Sequence, residues 1–138
     1  METIEQERDR AYELSEELTH VVGCTTDLEV WETGGGCTAL RLDLNNGRYL
    51  MITAEDGGEV PGCDEKLLVG WYKPDADEAY YLLEFPNDDK FIMFADWAPR
   101  MFISGDPMES RSWGRALNIS DAVVHAYPNA DDRFWAPA

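Results

Sequence analysis

Hydrophobic residues recur at helical spacing at the start of the chain. Ile4, Ala11, Leu14, Leu18 and Val21 form one apolar stripe, and acidic residues fill most of the intervening positions. Residues three and four positions apart lie on the same side of a helix, so the pattern predicts an amphipathic N-terminal helix. Its apolar stripe must be buried against a second layer of structure.

Alternation of apolar and polar residues replaces the helical period farther along the chain. Residues 38–44 and 48–54 alternate on either side of Asn45-Asn46-Gly47, and Asn-Gly favours the positive φ angles of a tight hairpin turn. Residues 28–32, 67–72, 79–85 and 91–97 also have the β-branched and aromatic content of strands. Because short turns join antiparallel neighbours, the sequence predicts a meander of about six strands with the N-terminal helix covering one face.

The last third of the chain changes character. Asp106-Pro107 followed by Glu109 has the features of a helix start and predicts a short helix near residues 107–117. Residues 122–127 fit either a short helix or an edge strand, and we favour the helix. No repeat or low-complexity linker interrupts the sequence, so residues 1–138 are predicted to form a single α+β domain with one or two short C-terminal helices.

Net charge narrows the range of partners. The chain has 28 acidic and 11 Lys or Arg residues, a formal net charge of -17. Nucleic acids and anionic lipids are themselves negatively charged, so this balance argues against direct binding of either and favours a basic protein partner. The same charge is also typical of an acidic surface that only keeps a protein soluble.

The sequence predicts a cytoplasmic location. Residues 1–10 are charged and lack the apolar core of a secretory signal, and no stretch of about 18 apolar residues is present. The three cysteines, Cys24, Cys37 and Cys63, are odd in number and contain no CxxC spacing, which does not suit a disulfide framework. If the protein is encoded by a phage, the compartment would be the cytoplasm of its host.

Candidate metal and nucleophile sites are weak. His20 and Cys24 form one loosely spaced pair, whereas structural zinc sites usually show two close pairs of ligands. A reactive cysteine would need a histidine beside it, and Cys37 with His125 is one available combination. We therefore predict no metal, no cofactor and no catalytic residue, and leave open whether Cys37 is reactive.

Two groups of residues are candidate protein-binding positions. Aromatic and arginine side chains, which are enriched at binding hot spots, concentrate within residues 97–115; this first group is Trp97, Arg100, Phe102, Arg111, Trp113 and Arg115. The alternative is that its tryptophans close the core. The second group is acidic and comprises Glu55, Asp56, Glu59, Asp75, Asp77, Glu78, Asp88 and Asp89, together with the acids of the N-terminal helix.

One segment carries a resemblance to known proteins. Residues 30–40 read VWETGGGCTAL and continue to NGRY at residues 46–49. This run resembles segments of small accessory proteins of actinobacterial phages and covers about a quarter of the chain. The resemblance implies a protein encoded by a phage or mobile element that binds and inhibits a host factor, and it implies no catalytic residue.

These observations favour a non-catalytic, acidic protein that binds another protein. In one version its carboxylates imitate the phosphates of DNA and occupy the basic groove of a nucleic-acid-binding host protein. Two alternatives stay open. The chain could be a small enzyme without a recognisable motif, or a structural protein that self-associates through exposed aromatic residues or an edge strand.

Overall fold

The computed structural model describes residues 4–24, 26–55, 58–62, 65–76, 78–107 and 110–126. Its elements, in chain order, are α1 (Ile4–Val22), β1 (Glu29–Gly34), β2 (Cys37–Asp43), β3 (Tyr49–Thr53), β4 (Leu67–Tyr72), β5 (Tyr81–Phe85), α2 (Asp88–Trp97), a 3-10 helix (Pro99–Phe102), α3 (Ser110–Ile119) and β6 (Val123–Ala126). The predicted α+β fold is confirmed: an N-terminal helix, a six-stranded antiparallel sheet and two short helices in the C-terminal part.

The sheet is a meander in which each strand pairs with its neighbour in sequence, in the order β1-β2-β3-β4-β5-β6. The predicted hairpin at Asn45-Asn46-Gly47 joins β2 to β3. It is closed by a hydrogen bond of 2.8 Å from the Leu44 N–H to the Arg48 carbonyl. Gly47 has a φ of 85°, a value that glycine adopts without the strain that a side chain would add.

The three α-helices pack on one face of the sheet, and no helix of the described residues covers the other face. Side chains that alternate along the strands, among them Leu50, Val69 and Trp71, are buried on the helical side. The Trp71 indole N–H donates to the Met101 carbonyl at 2.8 Å, which satisfies its one polar group inside the core. Met51, on the opposite face, is half-buried.

Two buried charged residues attach α1 to the rest of the fold. The Arg10 guanidinium pairs with Asp88, and its Nε donates to the Pro61 carbonyl at 2.9 Å. The Glu7 carboxylate accepts a hydrogen bond of 2.5 Å from the Thr38 hydroxyl. The sequence predicted that the buried side of α1 would be its apolar stripe. Glu7 and Arg10 are only 5% exposed, so this buried side is partly polar.

The prediction of a strand at residues 91–97 is wrong, because this segment belongs to α2. Asn87 caps the helix by accepting a hydrogen bond of 3.0 Å from the Lys90 N–H. Phe91, Phe94 and Ala95 are fully buried at the i, i+3 and i+4 spacing of a helix. The aromatic content that suggested a strand is explained by packing in the core.

The preference for a helix at residues 122–127 is also wrong, since β6 spans Val123–Ala126 and Tyr127 lies outside the described residues. Val123 pairs with Glu84 of β5. Asp121 has a φ of 53° directly after α3, and this left-handed residue reverses the chain toward the open edge of β5. The sheet has six strands because β6 takes the place that the sequence assigned to residues 91–97. The helix predicted near residues 107–117 is present as α3.

Candidate functional site

The structure divides the predicted aromatic and arginine group between the core and the surface. Phe102 and Trp113 are 3% and 0% exposed and pack against Phe94. Trp97 is 45% exposed and lies one helical turn after Met93, which is equally exposed. The arginines Arg100, Arg111 and Arg115 are all exposed. The surface part of this group is therefore Trp97 with the three arginines.

The predicted acidic group is spread over two ends of the sheet. Glu55 and Glu59 follow β3, and Asp88 and Asp89 follow β5; the pairing of Thr53 with Leu68 and of Phe85 with Leu67 places both segments at one end. Asp75 and Glu78 lie in the β4–β5 connection at the other end. Asp56 and Asp77 lie outside the described residues.

A carboxylate cluster forms where α1 meets the beginning of α2. Burial raises the pKa of Glu17 above its usual value, and the negative charges of Asp88, Asp89 and Glu13 raise it further. The positive charge of Arg10 lowers this pKa, but it does not cancel the other effects. The fold therefore holds three carboxyl groups from two helices close enough to Glu17 to affect its ionisation. We call Glu13, Glu17, Asp88 and Asp89 the acidic cluster.

A groove runs between α1 and the edge strand β1. One part has a volume of about 410 Å³ and is lined by Arg8, Ala11, Tyr12, Ser15 and residues 27–30. A second part of about 430 Å³ shares Tyr12, Ser15 and Asp27 with the first and continues toward His20. The two parts are adjoining shallow depressions that share these residues, and we call them together the α1–β1 groove.

Hydrogen bonds of two hydroxyl groups set the position of α1 beside this groove. The Ser15 hydroxyl donates to the Ala11 carbonyl at 2.6 Å and accepts from the Leu28 N–H at 2.9 Å. One turn later, the Thr19 hydroxyl accepts from the Thr26 N–H at 3.1 Å. These bonds attach the helix to the segment that leads into β1, so the walls of the groove are firmly positioned.

Tyr12 and Glu16 line the groove from the helical side. Tyr12 is 65% exposed, and a hydrogen bond with Glu16 and the charge of that carboxylate raise the pKa of the phenol. The sequence gives one signal for this residue, a large aromatic side chain on the polar side of an amphipathic helix, and the two predicted groups did not include it. The groove itself follows from the contact of α1 with β1, which local patterns do not reveal.

The uncovered face of the sheet has a shallow hollow of about 550 Å³. Small and apolar residues such as Ala39, Met51 and Gly70 line it, and Glu78 contributes a carboxylate at its border. The Tyr72 ring lies over Gly70, so close that a Cβ atom added to this glycine would come within 3.0 Å of the ring. Burial is the main cause of the raised pKa of Tyr72.

Tyr72, which lines this hollow, connects it to a border of further aromatic rings and one arginine. The rings of Tyr49 and Tyr72 are stacked, with centroids 5.0 Å apart and an angle of 6° between their planes. The Arg41 guanidinium lies 4.3 Å from the centre of the Trp31 ring and 4.0 Å from that of Tyr49. Arg41 also pairs with Asp43 at 2.9 Å. This border is therefore a packed cation–π array whose arginine already has partners.

The candidate cysteine and histidine sites do not assemble within the described residues. Cys37 is on β2 and His125 is on β6, four strand spacings apart, which corresponds to roughly 19 Å. His125 lies instead 3.4 Å from the Glu84 carboxylate. In the part of the chain that the structure describes, no three His, Cys, Asp or Glu side chains are grouped to hold a metal ion. Cys63 lies outside that part.

Two further findings concern the chain as a whole. Within the described ranges, no helix has both the length and the apolar character needed to cross a membrane. Comparison of the chain with protein-family models, with curated proteins and with solved structures finds no match.

Proposed function

We propose that this protein is a non-catalytic binding protein that docks on a basic protein through the acidic surface of α1 and the beginning of α2. The acidic cluster supports this proposal most directly. Partial burial is the largest cause of the raised pKa of Glu17, and the neighbouring carboxylates raise this pKa further although the Arg10 guanidinium is close by. A cationic side chain of a partner would relieve this repulsion, whereas the isolated protein pays for it in the folded state.

The rest of α1 extends the same electrostatic field. Glu5, Asp9 and Glu16 are exposed on the helix, and Arg8 is its one exposed arginine within residues 4–22. A field of one sign accelerates the encounter with an oppositely charged protein and falls off over about 10 Å at ordinary salt concentration. A groove that binds nucleic acid offers such a basic surface, and carboxylates on a helix would occupy the places of phosphates there.

The identity of the partner forms a finer part of the proposal. The β1–β2 hairpin carries the segment that resembles phage accessory proteins, and a phage protein of this kind would act on a protein of the bacterial host. We therefore propose a host nucleic-acid-binding protein as the partner and inhibition of that protein as the outcome. The resemblance supports the choice of a host protein, and the negative charge supports the choice of a basic, nucleic-acid-binding one.

Affinity capture from a bacterial lysate with charge-reversal variants tests the proposal. The test variant carries Glu13→Lys, Glu17→Lys and Asp89→Lys. The matched control carries Asp43→Lys, Glu65→Lys and Asp96→Lys, which change the net charge equally at exposed positions outside both predicted binding groups and outside the acidic cluster. We expect the wild type and the control to retain the same basic protein and the test variant to lose it, with affinity reduced at least about tenfold.

Salt dependence provides a second readout with the captured protein. Its binding should weaken steadily from about 50 to 500 mM NaCl, because exposed charge pairs are screened. Equal capture by the test variant and the control, or an affinity that does not change with salt, would show that the acidic cluster is not the docking surface.

A further inference from the structure

We infer that the partner places an extended, basic segment in the α1–β1 groove, where it pairs with β1 as an additional strand of the sheet. This inference rests on the proposed function and assigns a binding mode to it. The acidic cluster lies on the side of α1 that faces α2, and the groove lies on the side that faces β1. A partner that contacts α1 could therefore reach both surfaces.

The hydrogen-bonding pattern of β2 shows which backbone groups of β1 point outward. The N–H groups of Thr38 and Leu44 donate away from β1, to Gly58 and Arg48. Residues of an antiparallel strand alternate in direction, so Ala39 and Arg41 direct their backbone groups toward β1. Their partners there are Trp31 and Glu29.

It follows that Leu28, Val30 and Glu32 direct their backbone groups toward the outer edge. The structure supports this direction at Leu28, whose N–H donates to the Ser15 hydroxyl of α1 at 2.9 Å. The outward N–H and C=O of Val30 come next along the strand and form no hydrogen bond within the described residues. Such a pair of backbone groups is the template on which an extended peptide adds to a sheet.

Charge selects the kind of segment that fits this edge. Glu16, Asp27 and Glu29 line the groove and are all exposed, whereas Arg8 is the one Lys or Arg side chain among the described lining residues. A lysine or arginine of the added strand would meet these carboxylates, and the exposed face of Tyr12 can bind its cation as well. The groove thus matches a basic segment in both its backbone and its side-chain chemistry.

The same charges oppose pairing between two copies of this chain. An antiparallel pairing of β1 with a second β1 would bring four carboxylates, Glu29 and Glu32 of each copy, onto two adjacent strands, and accumulated like charge opposes this association. The irregular pairing between Glu32 and Gly34 also shortens the regular part of this edge. A short, basic segment of another protein avoids the repulsion.

Two peptides of equal charge test the inference on the full chain. One is a blocked peptide of alternating lysine and valine, and the other alternates lysine and proline; both have about ten residues, which is long for a strand. Proline lacks the N–H that a strand needs. We expect calorimetry to show that the lysine–valine peptide binds at least about tenfold more tightly, and hydrogen exchange to slow at the Val30 amide when it is bound.

A pair of substitutions at Glu32 separates the backbone from the charge. Glu32→Pro removes an outward N–H and leaves the bonds to β2 in place, whereas Glu32→Ala removes only the carboxylate. We expect Glu32→Pro, but not Glu32→Ala, to lose the preference for the lysine–valine peptide. Both variants should keep the far-UV circular dichroism of the wild type.

The possible outcomes distinguish the two proposals. Equal binding of both peptides to the wild type, or an unchanged exchange rate at Val30, would overturn strand addition and leave docking on the acidic surface standing. If neither peptide binds even at low salt, the proposed preference for a basic partner fails as well.

Discussion

Replacing Arg10 with methionine should markedly destabilise the fold, because the arginine joins three segments of the chain. Its guanidinium pairs with Asp88 at the start of α2 and donates to the carbonyls of Pro61 and Gly62, at 2.9 and 3.3 Å. Methionine keeps an unbranched stem but no donor. The variant therefore leaves Asp88 without this cation, beside the other carboxylates of the acidic cluster.

The size of the effect follows from the burial of the two partners. Removing one member of a buried ion pair costs about 3–5 kcal/mol, since the remaining charge stays buried. Arg10 is 5% exposed, but 22% of the Asp88 side chain is exposed, and this solvent contact reduces the cost. The two carbonyl acceptors add about 1 kcal/mol each at most. We expect a loss of about 3 kcal/mol and a fall in Tm of roughly 10 °C.

Urea unfolding followed by tryptophan fluorescence and far-UV circular dichroism measures this loss. Arg8→Met is the matched control, because Arg8 is an exposed arginine on the same helix and its replacement should cost less than about 0.5 kcal/mol. A double-mutant cycle with Asp88→Asn isolates the pair itself. A loss below about 1 kcal/mol, or one equal to that of the control, would refute the view that Arg10 clamps α1 to α2.

Three further substitutions test other parts of the structure by thermal or urea unfolding. Gly70→Ala should destabilise the protein by about 1–3 kcal/mol, because its Cβ would press on the Tyr72 ring at 3.0 Å; an unchanged stability would mean that the ring moves freely. Asn87→Ala should cost about 1 kcal/mol by removing the cap of α2, and Asn87→Asp, which keeps an acceptor, should cost much less. Glu17→Gln should stabilise the protein at neutral pH by up to about 0.5 kcal/mol, a small value because solvent screens this exposed group. A carboxyl with a raised pKa is penalised only when it is ionised, so this gain should disappear as the pH falls through that pKa, and a gain that persists at low pH would contradict the electrostatic explanation.

Local patterns predicted the fold class because most of the sheet consists of adjacent hairpins. Alternating side chains and the Asn45-Asn46-Gly47 turn specify β2 and β3 without reference to the rest of the chain. The same reasoning failed at residues 91–97, where aromatic content suggested a strand. The helix signals were present, since Asn87 precedes two acidic residues and Phe91, Phe94 and Ala95 have helical spacing.

Distant contacts explain what the sequence could not show. β6 is a strand because β5 offers it an open edge, and that edge exists only once the sheet has formed. The α1–β1 groove likewise depends on the hydrogen bond between Ser15 and Leu28. The hydrophobic pattern along the chain gives no sign that these two residues meet. Residue type does not determine burial, so the sequence named Phe102 as a candidate binding residue and left Trp113 open between binding and the core, where the structure places both residues.

The meander also has a consequence for the order in which the chain folds. Each strand from β2 to β5 can pair with its predecessor across a shorter connection, but β6 must wait until residues 86–122 have closed a longer loop. That closure costs about 1–2 kcal/mol more chain entropy than a hairpin does. We expect β1 to β5 to assemble first and β6 to join late, and pulse-labelled hydrogen exchange would detect this as late protection of the Val123 amide, which pairs with Glu84 of β5. The last strand to join is then also the first to detach, so the two edge strands of the sheet differ in kinetics.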